Sequence, residues 1–188
     1  MINQKIIKAL KIINQKLKDQ KIKWVLVGST SLALQGVKIK PKDIDILTNR
    51  EGAYEVNKLL KEYEIKPIKF GKSNVFQSYL GEFRVNKIKV EVMGNLKEKI
   101  GGKWESLSPR LKSPKIIKIE GMNLPVSPLK EQLKSYKFRG RKKDSIRVQR
   151  IKEALKRRAK VRSTEARYAL LGDVNLILSS CTQLFRLF

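Results

Sequence analysis

Residues 23–47 read KWVLVGSTSLALQGVKIKPKDIDIL, and this stretch decides the fold. Its apolar run over residues 23–27 ends at a glycine, which predicts a short buried strand. The hydroxyls of residues 29–31 are predicted N-caps for a short helix that ends near Gly36. A proline then breaks any helix, and residues 44–47 are predicted to form a second strand. The stretch is therefore a strand–helix–strand unit.

The second strand carries two carboxylates. Asp43 and Asp45 are two positions apart, so both side chains project from one face, while Ile44 and Ile46 point toward the core. Two carboxylates held this close repel each other strongly unless a cation lies between them. Oxygen ligands favour Mg²⁺ or Mn²⁺. If a later strand lies beside this one, its Glu91 can complete a three-carboxylate cluster.

The turn at Gly28 and Ser29 is a candidate phosphate site. A strand that ends in Gly-Ser and runs into a helix offers backbone N–H groups and a hydroxyl to a phosphate. Next to a carboxylate–metal cluster, such a site is suited to in-line attack at a phosphorus atom. Alone, each element is common: Asp-x-Asp occurs in solvated loops, and Glu91 could be an exposed residue paired with Lys89. The order and spacing of all three favour a joint function.

The composition narrows the chemistry. The chain has 43 Lys and Arg against 17 Asp and Glu, a formal charge of +26, which attracts polyanions such as nucleic acid. A lysine-rich proteome of a hot or AT-rich organism would explain the same charge. Histidine is absent, which excludes His bases, Ser-His-Asp triads and the usual zinc sites.

Compartment is inferred from two features. Cys181 is the only cysteine, so an intramolecular disulfide is impossible and a reducing compartment is expected. The N-terminus has no uninterrupted apolar region of a signal peptide, and no segment reaches the roughly 18–20 apolar residues that cross a bilayer. We therefore expect a cytoplasmic protein without a membrane partner.

The rest of the chain is predicted to continue as mixed helices and strands, with a core over residues 1–126, a helical region over 127–165 and an apolar tail over 166–188. The tail could pack on the domain, mediate self-association or be foreign to it. Residues 94–114, rich in Gly, Lys, Ser and Pro, are predicted to be a mobile loop. The predicted helices are 3–19, 52–63, 128–138 and 143–160, and the predicted strands are 65–70, 75–80, 82–85, 88–92, 116–119 and 122–126.

Val27-Gly28-Ser29 and Asp43-Ile44-Asp45-Ile46, with Glu91, resemble the DNA polymerase beta nucleotidyltransferase superfamily. More narrowly, residues 28–37, 51–55 and 89–94 look like small stand-alone nucleotidyltransferase-like proteins of thermophiles. The resemblance covers residues 1 to about 155. It implies an α/β (α+β) fold, with a mixed β-sheet core flanked by helices and with C-terminal helices.

The resemblance also implies roles for the site residues. Asp43 and Asp45 would be ligands of two Mg²⁺ ions, Glu91 would hold the metal that activates the attacking hydroxyl, and Gly28 and Ser29 would bind the triphosphate. The implied enzyme transfers a nucleoside monophosphate from a nucleoside triphosphate to an acceptor hydroxyl and releases pyrophosphate. The acceptor would be an RNA end or a partner protein.

Two features leave alternatives open. Lys42 stands where antitoxin-type relatives often have Ser or Thr, and it is either a phosphate ligand or a surface lysine. The basic segment 137–143 is either a phosphate-binding or a solvated surface, and little aromatic sequence accompanies it for base stacking. The competing functions are a non-catalytic nucleotide- or RNA-binding module and an antitoxin of a toxin–antitoxin pair that binds a partner protein.

Overall fold

The structure is a computed structural model that describes residues 2–139, 142, 144–161, 163 and 164. The chain divides into two compact units, Met1–Ile151 and Lys152–Phe188. In the second unit, residues 152–161, 163 and 164 are helical. The predicted apolar tail 166–188 lies outside the described residues, and the predicted boundary after residue 126 stays a prediction.

An amphipathic helix opens the first unit. Helix α1 (Gln4–Leu17) confirms the helix predicted over residues 3–19. The side chain of Asn3 caps it by accepting the backbone N–H of Lys5 at 2.8 Å. Apolar residues at helical spacing lie on one face and join the main hydrophobic core, while lysines occupy the solvent side. The buried residues on this face include Ile6, Leu10, Ile13 and Leu17.

One mixed sheet forms the centre of this unit and confirms the predicted fold class. Among the described residues it has eight strands, in the order β3-β4-β5-β2-β1-β8-β7, with β6 paired to β5 outside this path. Strand β2 is parallel to β5 and antiparallel to β1. The strands are β1 (Trp24–Val27), β2 (Asp43–Thr48), β3 (Glu64–Lys72), β4 (Phe76–Val85), β5 (Ile88–Ile100), β6 (Lys103–Ser106), β7 (Lys115–Ile119) and β8 (Met122–Val126).

The core lies on one face of the central strands. Ile44 and Ile46 of β2 and Val90 and Val92 of β5 are fully buried, as their alternation with carboxylates predicts. Helices α2 (Gly28–Leu34) and α3 (Arg50–Leu59) follow β1 and β2, and a 3-10 turn (Lys61–Tyr63) follows α3. The face opposite this core presents the Asp-x-Asp pair.

Two predicted hairpins are confirmed. Asn86 and Lys87 connect β4 to β5, and both have positive φ (49° and 64°), as a two-residue turn that matches the twist of the strands requires. Glu120 and Gly121, with φ of 43° and 76°, connect β7 to β8. The two strands predicted within residues 75–85 are one continuous strand, β4.

The prediction of a loop over residues 94–114 is wrong. Strand β5 continues to Ile100 and pairs with β6, and a 3-10 helix (Ser108–Leu111) follows. Gly101 and Gly102 form the turn, with φ of 55° and 83°. The Gly, Lys and Ser content obscured a strand alternation in which every second residue is buried, Glu98 included.

The N-caps predicted for α2 are also wrong. The helix begins at Gly28 with Val27 as its N-cap, and no side chain caps it. Gly28 has a φ of +66°, which lets the chain turn from β1 straight into the helix. The hydroxyls of residues 29–31 therefore lie inside the helix, where they are buried and bond to distant partners.

Two helical segments end the first unit. Helix α4 (Leu129–Arg139) and α5 (residues 144–151) agree with the helices predicted to begin at residues 128 and 143. Residues 140, 141 and 143 of the basic segment lie outside the described residues. Among the described residues, no helix is long and apolar enough to span a membrane.

Candidate active site

The turn at Gly28 is built around one carboxylate. A Cβ atom on Gly28 would lie 1.8 Å from Oδ2 of Asp45, far inside van der Waals contact. With its positive φ, this position excludes side chains on two independent grounds. Glycine therefore allows Asp45 to lie directly against the backbone where β1 becomes α2.

The three predicted carboxylates lie on neighbouring strands. Asp45 is the register partner of Glu91 across the parallel pair β2–β5, and Asp43 is two residues away on the same face. Burial raises the pKa of Asp45 to about 7, and the negative charges of Asp43 and Glu91 contribute to the same rise. Asp45 therefore ionises less readily than an exposed aspartate, and a cation beside it would favour its charged form.

Protein side chains hold the other two carboxylates. The hydroxyl of Ser29 donates to Oδ1 of Asp43 at 3.0 Å. The ammonium group of Lys89 lies 2.6 Å from Oε1 of Glu91 and 3.7 Å from Oε1 of Glu82. The bond to Glu91 raises the pKa of Lys89. Ser29 and Lys89 thus fix the orientations of the outer two acids.

The carboxylates fit a divalent cation only in part. Asp43 and Asp45 supply the oxygen ligands that Mg²⁺ and Mn²⁺ prefer, and their mutual repulsion is what a cation would relieve. Over the described part of the chain, however, no group of three or more acidic or Cys side chains is placed to hold a metal ion. Glu91 bonds to Lys89 instead.

A cavity of about 310 Å³ opens over these acids. Its polar wall contains Asp43, Asp45 and Glu91 from the sheet and Gly28 from the start of α2. Its apolar wall is formed by aliphatic and aromatic side chains from β1, β2, β4, β5 and the segment before the second 3-10 helix. These residues are Val27, Leu47, Phe76, Leu80, Met93, Leu96 and Leu107. Cavities of this size and mixed character suit small-molecule ligands.

In the described part of the chain, the remaining charged residues of the cavity wall are three arginines. Arg110 belongs to the second 3-10 helix, Arg139 to α4 and Arg147 to α5. Arg139 forms an ion pair with the buried carboxylate of Glu98. Together with Tyr136, these residues give the cavity a basic and aromatic wall beside the acidic one.

Tyr136 is within cation–π distance of two of these guanidinium groups. Its ring centroid is 5.2 Å from the guanidinium carbon of Arg139 and 5.1 Å from that of Arg147. Burial raises the pKa of Tyr136 to about 12, so its hydroxyl stays protonated. Arg147 also approaches Oδ1 of the buried Asp144 at 3.4 Å. The ring thus organises Arg139 and Arg147 by cation–π contact.

A buried polar network joins α2 to α4. The amide nitrogen of Gln132, a cavity residue, donates to Oγ of Ser31 at 2.9 Å and to the carbonyl of Ser127 at 2.9 Å. The amide nitrogen of Gln35 donates to the same carbonyl at 2.9 Å. These bonds attach the helix that carries Ser29 to the helix that carries Tyr136.

Comparison with known proteins identifies the family. The family of aminoglycoside-2''-adenylyltransferases matches residues 9–151, which is most of the first unit. The chain belongs to this family. It is therefore a nucleotidyltransferase, as its motifs predict.

Solved structures agree with this assignment. The chain is 32% identical to TM1012 of Thermotoga maritima, assigned as a nucleotidyltransferase, over 87% of this chain and 96% of that one, with a TM-score of 0.69. The lincosamide antibiotic adenylyltransferase LnuA (14% identity, 78% and 96% coverage) and the antibiotic-resistance factor ANT(2'')-Ia (12%, 89% and 95%) each give a TM-score of 0.53. These two share the fold. No curated protein matches the chain.

In this adenylyltransferase-family chain, five predicted site residues converge and one lies apart. Gly28, Asp43, Asp45 and Glu91 line the cavity, and Ser29 bonds to Asp43. Lys42 is exposed and is not among the described residues that line the cavity. The predicted phosphate binding by Gly28, Ser29 and Lys42 stays a prediction, as do the catalytic and metal-binding roles of Asp43, Asp45 and Glu91.

The three cavity arginines were missed as site residues. Arg110 lies in the stretch predicted to be a loop, and Arg139 lies in a segment for which a solvated basic surface was one of two interpretations. The alternation through Leu96 and Glu98, followed by Gly101-Gly102, is a hairpin signal that could have revealed the strands before Arg110.

Proposed function

We propose that the chain is a metal-dependent enzyme that transfers a nucleoside monophosphate from a nucleoside triphosphate to an acceptor hydroxyl. The observation that carries the proposal is the close approach of Asp45 to the Gly28 turn, with Asp43 and Glu91 beside it. A phosphate held at that turn would lie beside the acids, where in-line attack at phosphorus needs them. The family name supports ATP as the donor.

The proposed reaction is a displacement at the α-phosphorus of the nucleoside triphosphate. The acceptor oxygen forms a bond to the α-phosphorus, and the bond from the α-phosphorus to the oxygen bridging to the β-phosphorus breaks. Pyrophosphate leaves with that electron pair, and the hydroxyl proton passes to the Glu91 carboxylate. Bound Mg²⁺ or Mn²⁺ would neutralise charge on the phosphates and lower the pKa of the attacking hydroxyl.

The proposed roles follow from the contacts of each residue. Asp43 and Asp45 would hold the metal, with Ser29 fixing the Asp43 carboxylate through its 3.0 Å bond. Gly28 and Ser29 would bind the triphosphate. Lys89 pairs with Glu91 on the strand beside Asp45, and Glu91 would exchange Lys89 for the metal that activates the hydroxyl.

An RNA end or a hydroxyl of a partner protein is the proposed acceptor. The net charge of +26 supports RNA, because excess positive charge attracts polyanions. The proposed function is tested by incubating the protein with each α-³²P-labelled nucleoside triphosphate, Mg²⁺ and total RNA or cell lysate. We expect label to enter RNA or protein with the wild type and to be lost with Asp43→Ala/Asp45→Ala.

A matched control removes a carboxylate elsewhere. Asp19→Ala changes an aspartate whose side chain is 79% exposed, and this variant should label as the wild type does. Binding of a triphosphate without transfer would support the non-catalytic nucleotide-binding module. Failure of every triphosphate to bind or react with metal present would contradict the enzyme, and capture of a toxin-like partner would then favour the antitoxin.

A further inference from the structure

Arg110 is a buried cation in the cavity wall. Its exposed fraction is 8%, and it lines the same cavity as Asp43, Asp45 and Glu91. The 3-10 helix Ser108–Leu111 holds it there. A guanidinium group keeps its charge in proteins, so this wall of the cavity carries a fixed positive charge.

The polar contacts of Arg110 are to neutral groups. Its Nη2 donates to the carbonyl of Glu131 at 3.1 Å and to the hydroxyl of Ser135. Among the described residues, no carboxylate lies within ion-pair distance of Arg110. The nearby carboxylate of Glu131 approaches Lys134 at 3.4 Å instead.

The other two cavity arginines differ in this respect. Arg139 pairs with Glu98, and Arg147 pairs with Asp144, and both of these carboxylates are buried. Within the described residues, Arg110 is therefore the cavity arginine that forms no ion pair, although the more distant Glu131 carboxylate favours its charged form. Burial of a charge without an ion-pair partner is unfavourable, and a bound anion would offset that cost.

The acids of the cavity wall already have proposed roles in the reaction. Among the described residues, its only carboxylates are Asp43, Asp45 and Glu91, which the proposed function assigns to metal and proton transfer. A polycationic acceptor such as an aminoglycoside needs further carboxylates to bind its ammonium groups. The wall offers arginines and apolar side chains in their place.

We propose that Arg110 binds an oxyanion, a phosphate or carboxylate group, of the acceptor molecule. The RNA end or protein hydroxyl proposed as acceptor is then one that lies near a phosphate or carboxylate group, rather than part of a polycation. This inference rests on the proposed nucleotidyl transfer and names the class of acceptor for that same site. Arginine suits this task because its planar donors match the oxygens of phosphate and carboxylate.

The test is a thermal-unfolding titration of the full chain. The nucleotide site is first filled with Mg²⁺ and α,β-methylene-ATP, which cannot release pyrophosphate, and inorganic phosphate, acetate or the aminoglycoside tobramycin is then added. Potassium chloride at equal ionic strength is the salt control. We expect saturating phosphate or acetate to raise the unfolding temperature by roughly 2–4 °C, and tobramycin to have no such effect.

Three variants separate the charge from the packing. Arg110→Met should abolish the anion-induced shift and keep the shift caused by the nucleotide analogue. Arg110→Lys keeps the charge and should retain part of the anion response. Arg84→Met removes an exposed arginine from β4 and should respond as the wild type does. Which anion gives the larger shift distinguishes a phosphate-bearing from a carboxylate-bearing acceptor.

Several outcomes would overturn the inference. These are the absence of an anion shift in the wild type, the same shift in Arg110→Met, or a larger shift with tobramycin than with either anion. Loss of the analogue shift in Arg110→Met would show instead that Arg110 binds the donor nucleotide. Failure of the analogue to bind the wild type would contradict the proposed function, whereas the anion titration without analogue would still decide whether Arg110 binds oxyanions.

Discussion

The acidic and basic walls of the cavity are built in different ways. Asp43, Asp45 and Glu91 project from two adjacent parallel strands, so strand alternation and register place them. Arg110 and Arg139 come from a 3-10 helix and from α4, and their positions depend on packing between segments that are distant in sequence. The acidic wall therefore depends on strand register within the sheet, whereas the basic wall depends on the packing of helical segments against the sheet.

The largest expected effect tests the acidic wall. Asp43→Asn and Asp45→Asn should each lower the rate of Mg²⁺-dependent pyrophosphate release from ATP by roughly 10³-fold, because each removes a proposed metal ligand. Asp19→Asn, outside the cavity, should leave the rate unchanged. A variant of either cavity aspartate that keeps more than a tenth of the activity would contradict the assignment.

This contrast explains what could be predicted from the sequence. Strand alternation predicts that Asp43 and Asp45 share one face, and a two-residue turn predicts the hairpin strand that carries Glu91. The parallel pairing of β2 with β5, which places Asp45 beside Glu91, entered the sequence analysis only as a condition. The hydrogen-bond partners of the α2 hydroxyls were not predictable, since the hydroxyl of Ser31 accepts from Gln132, which is 101 positions away in the chain. Only the folded unit brings such residues together.

The cavity arginines likewise depend on contacts between residues that are distant in sequence. The residues around Arg139 in the sequence do not indicate that it will pair with Glu98, which is 41 positions away. Glu98 also lies in the stretch that was predicted to be a loop and that forms the end of β5. The composition was misleading there, because lysines alternate with the buried positions of β5 and two glycines follow the strand, as in many loops. Long-range pairs of this kind cannot be derived from periodicity alone.

The second prediction tests the basic wall through the ion pair between Arg139 and Glu98. Glu98→Gln should lower the free energy of unfolding by about 1–3 kcal/mol, because it removes the buried carboxylate that pairs with the partly buried Arg139 guanidinium. Urea denaturation measures the change. The double variant Glu98→Met/Arg139→Met should be less destabilised than Glu98→Gln, and equal or larger destabilisation of the double variant would refute this account of the pair.

The third prediction concerns the turn that joins the acids to α2. Gly28→Ala places a Cβ against Asp45 and should lower activity by roughly 10²-fold through displacement of that carboxylate. Gly36→Ala is the matched control. Gly36 also has a positive φ of 79°, but nothing lies within 4 Å of its Cβ position, so stability should fall while activity persists. Equal activity losses in the two variants would attribute the effect to backbone strain.

The smallest expected effect concerns the charge of Asp45 in metal-free protein. The pKa of Asp45 is about 7 in the folded protein, raised from 3.8, so the folded state holds the proton more tightly than the unfolded chain does. The stability that this protonated carboxyl contributes is fully present below pH 3.8 and is lost as pH rises to 7. In the presence of a chelator, Asp45→Asn should therefore raise the free energy of unfolding at pH 8 by on the order of 2 kcal/mol.

That gain should shrink toward pH 4, where the wild-type carboxyl is protonated, and it should also shrink when Mg²⁺ is added at pH 8. Thermal or urea unfolding at the two pH values measures both trends. A gain of the same size at pH 4 and pH 8 would assign the effect to packing rather than to charge.

The most direct test of the acidic wall is a crystal structure with Mn²⁺ and α,β-methylene-ATP, read through the anomalous signal of the metal. The account predicts a metal peak about 2.1 Å from carboxylate oxygens of Asp43 and Asp45. It also predicts that Glu91 has left Lys89 and turned toward the metal. A map without a peak at the two aspartates, with the bond between Lys89 and Glu91 intact, would contradict it.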